Sequence, residues 1–254
     1  MTPQPMTHQP IPPRARLGFI IPSSNRMAEP NFQRFAPKGV VPHFMRLRMT
    51  GSHSIPLAEL MSRIEDAAAI LGDAKCDVTV LQCTGTSMSG GFGAEREVIA
   101  TIERATGGRP ALTTATCLMT ALETLGARKL VFVSETGEDG HGKKRQFLAD
   151  AGYDIVADKP ANLAGSDESC VTPPEFWADL VRAMKTPEAQ AYFISCANIQ
   201  AIDVIEQLEA ELDRPVVTSN QVALWHALRT AGIMDDLPGL GRLGRLKQPA
   251  TLAA

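Results

Sequence analysis

Apolar and polar residues follow two alternating rhythms along this chain. Short, largely apolar runs occur at 17–21, 77–82, 110–114, 129–134, 154–157, 191–195 and 216–219. Several are rich in β-branched residues and read as strands buried on both faces. The segment 44–49 instead alternates apolar and basic residues, the pattern of a half-exposed strand. Between these runs the period lengthens to that of a helix. Leu57, Leu60, Met61, Ile64, Ala67, Ala68 and Leu71 share one face over 56–71, with Ser54 as cap and Pro56 in the first turn. Further helices are predicted over 94–105, 117–125, 143–150, 173–184, 199–212 and 220–230. Glycines stop the first three, at Gly107-Gly108, Gly126 and near Gly152. Glycine-rich stretches at 85–93 and 135–142 are expected to be loops.

Strands that alternate with helices imply parallel sheets with helices on both faces. Sites in such sheets lie beyond the carboxyl ends of the strands. An internal repeat adds symmetry. Val98-Ile99, Ile102-Glu103, the run 109–114 and Ala121-Leu122-Glu123-Thr124-Leu125-Gly126 match Val204-Ile205, Leu208-Glu209, the run 214–219 and Ala227-Leu228-Arg229-Thr230-Ala231-Gly232. The expected architecture is α/β: two pseudo-symmetric halves, each a parallel sheet flanked by helices, with the active site in the cleft between them. Residues 16–112 with 219–248 would form one half and 113–218 the other, after a disordered lead-in over 1–15.

Each repeat follows a strand that ends in a cysteine: Cys83 before Thr84-Gly85-Thr86-Ser87, and Cys196 before Ala197-Asn198. If the halves face each other, the two thiols converge on one cleft, one on each face of a planar substrate. A lone cysteine is more often a packed small hydrophobe than a nucleophile, and Cys76, Cys117 and Cys170 are read that way. The matched contexts of Cys83 and Cys196 point to chemistry. Thr84, Gly85, Thr86 and Ser87 can offer N–H and hydroxyl donors to a carboxylate, as can Ser23, Ser24 and Asn25 after the first strand. Helix N-termini at the strand ends are expected to lower the thiol pKa.

The 254 residues are 44% hydrophobic and 21% charged, ordinary for a globular α/β protein. A net charge of −3 and 5% aromatic residues give no basic or stacking surface for nucleic acid. Five cysteines, an odd number with no C-x-x-C, match neither a disulfide framework nor a zinc site, and suggest a reducing compartment. The first sixteen residues carry prolines but no apolar run, so neither a signal peptide nor an anchor is expected. No apolar stretch is long enough for a membrane span. A cytoplasmic protein is expected, with no membrane partner. His8, His43 and His53 form no ligand pattern. His141 is read as a solvated loop residue and His226 as structural. Glu65, Asp66, Glu206 and Glu209 are read as solvated helix faces.

Pro22-Ser23-Ser24-Asn25 after the first strand, Cys83-Thr84, Ser195-Cys196, Val217-Thr218-Ser219-Asn220-Gln221 and Gly239-Leu240-Gly241-Arg242-Leu243 resemble, in order and spacing, the aspartate/glutamate racemase superfamily. The nearest branch holds maleate cis-trans isomerases and arylmalonate decarboxylases. The resemblance covers roughly residues 16–246. It implies Cys83 and Cys196 as the two catalytic cysteines of an isomerase or racemase, because the decarboxylases have glycine at the first position. It implies Asn25 and Asn162 as contacts to a substrate carboxylate, and no metal or organic cofactor. Where the branch carries Thr-Pro-Tyr, this chain has Ser134-Glu135-Thr136, so Thr136 stands in place of a carboxylate-holding tyrosine. The expected activity is isomerisation of a small dicarboxylate of the maleate type, with Ala197 and Asn198 completing the binding set. Racemisation of an amino or hydroxy acid, arylmalonate-type decarboxylation, or simple carboxylate binding by an accessory protein are the alternatives. A homo-oligomer is the expected assembly.

Overall fold

The computed structural model describes residues 13–49 and 57–252. Residues 1–12 of the expected lead-in, the Ser54 cap, Pro56, His8 and His53 lie outside the described residues, while Ala15, expected in the lead-in, is the buried first residue of the first strand. Two four-stranded sheets organise the rest. The first is β1 (Ala15–Pro22), β2 (Val40–Leu47), β3 (Val78–Leu81) and β4 (Ala111–Thr113), in the order β2-β1-β3-β4. The second is β5 (Lys129–Ser134), β6 (Asp154–Pro160), β7 (Ala191–Ile194) and β8 (Val216–Thr218), in the order β6-β5-β7-β8. Every neighbouring pair is parallel. The same order in both sheets is the spatial form of the sequence repeat.

The inner strands β3 and β7 are buried along their whole length, as their unbroken apolar runs predict. β2 is an edge strand and half-exposed. It begins at Val40, earlier than expected, and contains Pro42. An edge tolerates that proline because its missing N–H costs no ladder bond. One continuous apolar cluster runs through both sheets and includes Trp177, Trp225, Phe132 and Phe193. A smaller one lies under α2 (Leu57–Asp73), where Leu60, Ile64, Ala67, Ala68 and Leu71 form the predicted buried face. Burying each such leucine or isoleucine stabilises by about 1.5–3 kcal/mol.

Several segments differ from the sequence expectation. A helix α1 (Ala28–Phe35) follows β1, with Pro30 in its first turn, where its missing N–H is harmless. The expected loop at 85–93 is a short helix α3 (Thr84–Ser89) followed by α4 (Gly91–Ala105). Its small residues are poor helix formers, but Thr84, Ser87 and Met88 are buried, and packing outweighs propensity. α5 spans Thr114–Thr124, and α6 (Glu138–Asp150) begins inside the expected loop. His141 is therefore buried in a helix, not solvated. Short α7 (Ser166–Val171) precedes α8 (Pro174–Arg182). The predicted helix over 199–212 opens as a 3-10 turn at Ala201–Val204 before α9 (Ile205–Leu212). Glu209 on α9 is also buried rather than solvated. It accepts the N–H of Val216 at 3.0 Å and of Arg242 at 2.7 Å.

The two copies of the repeat end alike. Thr113 caps α5 by accepting the N–H of Thr116, and Thr218 caps α10 (Ser219–Thr230) by accepting that of Gln221. Gly126 and Gly232 close the copies at φ +67° and +76°, a backbone that side chains disfavour. α5 and α10 pack on each other. α10 also touches β3 and α1, while α11 (Gly241–Arg245) rests on α9 and β8.

Candidate active site

A cleft of about 560 Å³ opens where the carboxyl ends of four strands meet. Pro22 ends β1 there, Cys83 follows β3, Glu135 follows β5, and Cys196 comes two residues after β7. Both thiols thus line one cavity. Asn25, Thr84, Gly85, Thr86, Thr136, Ala197 and Asn198 line it as well. Two expected contacts do not. Ser23 is exposed; its N–H continues the β1–β2 pairing to Leu47, and its hydroxyl faces the Met49 N–H at 3.4 Å. The chain turns immediately after β1, so Ser24 occupies the cleft wall instead. Asn162 is exposed in a left-handed backbone conformation at φ +55°, and its neighbour Leu163 reaches the cavity.

Buried amides tie the two cysteine strands together. Asn25 Nδ2 and Asn220 Nδ2 both donate to the Ala197 carbonyl, at 2.9 and 3.1 Å. Gln82 Nε2 donates to Asn220 Oδ1 at 2.9 Å, and Thr114 Oγ1 donates to Gln82 Oε1 at 2.8 Å. Asn25 Oδ1 accepts the N–H groups of Met27 and Ala28, opening α1. The side chain is thus largely committed to structure. Its amide nitrogen carries two hydrogens, and one remains after the bond to Ala197.

Cys83 is the extended residue before α3, and Thr86 Oγ1 donates to its sulfur at 3.1 Å. Cys196 holds φ at +119°, a region that residues with a Cβ rarely adopt. Such strain concentrates at functional sites. Its N–H donates to Ser219 Oγ at 3.0 Å, and Thr84 Oγ1 donates to the same hydroxyl oxygen at 2.8 Å. The Asn198 N–H points at the Cys196 sulfur at 3.3 Å. Asn198 also donates to the Ser166 carbonyl and accepts the Arg26 N–H.

The thiol pKa values move opposite to the sequence expectation. Burial pushes Cys83 up, against the hydrogen bonds from Thr86 and the nearby Lys144 cation. Burial pushes Cys196 further up, and the Glu135 carboxylate adds to it. Withdrawal from water outweighs the dipole of a six-residue helix. Both residues therefore rest as thiols. Cys76, away from the cleft, is raised by burial to about 11, as a packing cysteine should be.

Glu135 and Lys144 are the feature that sequence reading missed. Lys144 is buried in α6, and its Nζ lies 2.6 Å from Glu135 Oε2. At the rim Lys143 pairs with Asp139 at 2.8 Å. The sequence signal is a lysine pair at the start of the helix predicted over 143–150. Only the longer α6 turns Lys144 inward. Behind the wall, His141 bridges Ser134 Oγ at 2.7 Å and Asp158 Oδ2 at 2.8 Å, and its ring stacks on Phe132. This clamp fixes the strand end that carries Glu135 and Thr136.

The chain is similar to known enzymes along most of its length. The chain is 26% identical over 248 residues to a maleate isomerase of Nocardia farcinica, covering 94% of this chain and 98% of that protein. It is 28% identical over 173 residues to an arylmalonate decarboxylase of Bordetella bronchiseptica, covering 66% and 72%. Among solved structures, a cysteine-to-serine mutant of the Nocardia farcinica maleate cis-trans isomerase, with a covalently bound succinylcysteine intermediate, shares the fold. Its TM-score is 0.83 at 24% identity, over 91% of this chain and 98% of that one. The family described as arylmalonate decarboxylase matches residues 17–244, and the chain belongs to that family.

Proposed function

We propose that the protein is a cofactor-independent cis-trans isomerase of a small dicarboxylate, with maleate as its substrate, working through Cys83 and Cys196. The observation that carries this reading is the pair of strand-end thiols lining one cleft. The succinylcysteine of the Nocardia farcinica relative supports covalent thiol addition as the chemistry. A cysteine at position 83 favours isomerisation over decarboxylation.

The Cys83 sulfur adds to one alkene carbon, and Cys196 delivers a proton to the other. The former double bond is then single and rotates. Return of that proton to Cys196 and departure of Cys83 leave the trans isomer. The substrate carboxylates rest on the N–H and hydroxyl groups of residues 84–86, on the free hydrogen of Asn25 Nδ2, and on the Asn198 region. Donors fixed where negative charge develops stabilise an enediolate by several kcal/mol.

The test is a proton NMR time course with maleate in D₂O. The fumarate vinyl signal is expected with the native protein and absent with Cys83→Ala or Cys196→Ala. Untouched maleate with the native protein would overturn the reading. Loss of an α-proton from an amino or hydroxy dicarboxylate in the same format would then identify a racemase.

A further inference from the structure

The cleft contains an acid that the two-cysteine scheme does not use. Its charged side chains are Glu135 and Lys144 on the inner wall and Asp139 and Lys143 at the rim. The rim pair is exposed, and each of its partners answers the other. The inner pair is different. The Lys144 side chain is 4% exposed and that of Glu135 17%, and they meet at 2.6 Å through Oε2 alone. Oε1 has no hydrogen-bond partner among the described residues and belongs to a carboxylate on the cavity wall shared with both sulfurs. A buried ion pair is a costly thing to build into a cavity wall.

Addition of a thiol across a double bond raises a question of proton balance. Cys83 must lose its S–H proton before its sulfur can attack. Cys196 gives its own proton to carbon and must be refilled. Both groups rest as thiols, Cys83 buried and Cys196 partly buried, and a dianionic substrate makes any further thiolate harder to form. The proton released by one sulfur is the proton the other needs.

We propose that Glu135 is a further catalytic residue, carrying the proton between Cys83 and Cys196, with Lys144 holding its carboxylate in place. This rests on the two-thiol reading of the same cleft. In the forward step the Cys83 S–H bond breaks and an O–H bond forms on Glu135, while the sulfur electron pair forms the C–S bond. Cys196 protonates the adjacent carbon. Glu135 then passes its proton to the Cys196 thiolate, and Lys144 is again paired with a carboxylate. Elimination runs these transfers in reverse. No oxidant, metal or outside proton enters. Glu135, Lys144 and both sulfurs line the same cavity, where the carboxylate raises and the Lys144 cation lowers the pKa of each thiol beside the larger effect of burial.

The experiment compares native protein with Glu135→Gln, Glu135→Asp and the double variant E135Q/K144M. Each is assayed for maleate conversion and for the pH dependence of iodoacetamide labelling at Cys83 and Cys196, resolved by peptide mass spectrometry. Removing the carboxylate charge is expected to speed labelling of Cys196 at neutral pH at least tenfold in Glu135→Gln, while conversion falls at least a hundredfold. Glu135→Asp should retain part of the activity. The double variant removes both buried charges and keeps similar volume, so it should fold and stay inactive. Recovery of activity in the double variant would show the pair to be structural and overturn the proposal. Unchanged Cys196 labelling in Glu135→Gln, or conversion within a few-fold of native, would overturn it as well. If native protein leaves maleate untouched while the labelling shift appears, the substrate reading fails and the coupling of Glu135 to the thiols stands.

Discussion

At the scale of single residues, the site is built from groups that do two jobs. Cys196 sits at φ +119° and carries a candidate catalytic sulfur. Glycine adopts that backbone without strain, whereas alanine keeps the offending Cβ. Strain of this kind costs about 1–3 kcal/mol. Cys196→Gly is therefore expected to melt higher than Cys196→Ala, although neither turns over substrate; thermal unfolding of the two side by side checks this. Asn25 joins the opening of α1 to the Ala197 carbonyl across the cleft. Asn25→Ala should lose about 1–2 kcal/mol of stability from the lost capping bonds, measurable by urea unfolding, together with substrate binding. The cysteines and Asn25 were visible in the sequence because short motifs mark strand ends. Glu135 and Lys144 were not, because their partnership exists only once α6 starts at Glu138 and turns one lysine inward.

At the scale of elements, the strand ends are held by side chains behind them. His141 on α6 clamps Ser134 at the end of β5 to Asp158 on β6. His141→Leu keeps bulk against Phe132 but leaves the buried Ser134 hydroxyl without its imidazole partner. A buried polar group stranded in this way costs about 1–3 kcal/mol. The expected result is a lower urea midpoint with an unchanged slope, and a raised maleate KM while far-UV circular dichroism stays native. The strands themselves were readable from apolar runs, and α2 from its 3.6-residue period, because burial imposes those patterns directly. The glycine-rich segments at 85–93 and 135–142 misled for the opposite reason. Their local preferences favour loops, and it is packing against neighbouring elements, α5 and α6 for α3 and β6 and α3 for α6, that makes these segments helical.

At the scale of the molecule, pH should act on stability through a buried histidine that does not line the cleft. His226 in α10 has no partner for Nδ1, and burial lowers its pKa from 6.5 to about 4. Between those values the unfolded chain binds a proton that the folded chain refuses. Stability is therefore complete above about pH 6.5 and falls as pH drops toward 4. The pKa difference corresponds to roughly 3 kcal/mol at most. His226→Leu should flatten this acid limb of the denaturation midpoint against pH, while the native protein shows it. Labelling of the cleft cysteines should respond on the alkaline side instead, rising above neutral pH because burial holds both as thiols. Among the described residues, no helix is long and apolar enough to cross a membrane.

The sequence by itself determined the α/β class, the alternation of strands and helices, the repeat, and the two cysteines at strand ends. Periodicity and local motifs encode all of these within a few residues of chain. Only the tertiary structure decided that both cysteines line one cleft, that Ser24 rather than Ser23 faces it, that burial raises rather than lowers the thiol pKa values, and that Glu135 and Lys144 pair on the same cavity wall. Each of these depends on desolvation or on contact between segments distant in sequence, and neither leaves a periodic mark on the chain.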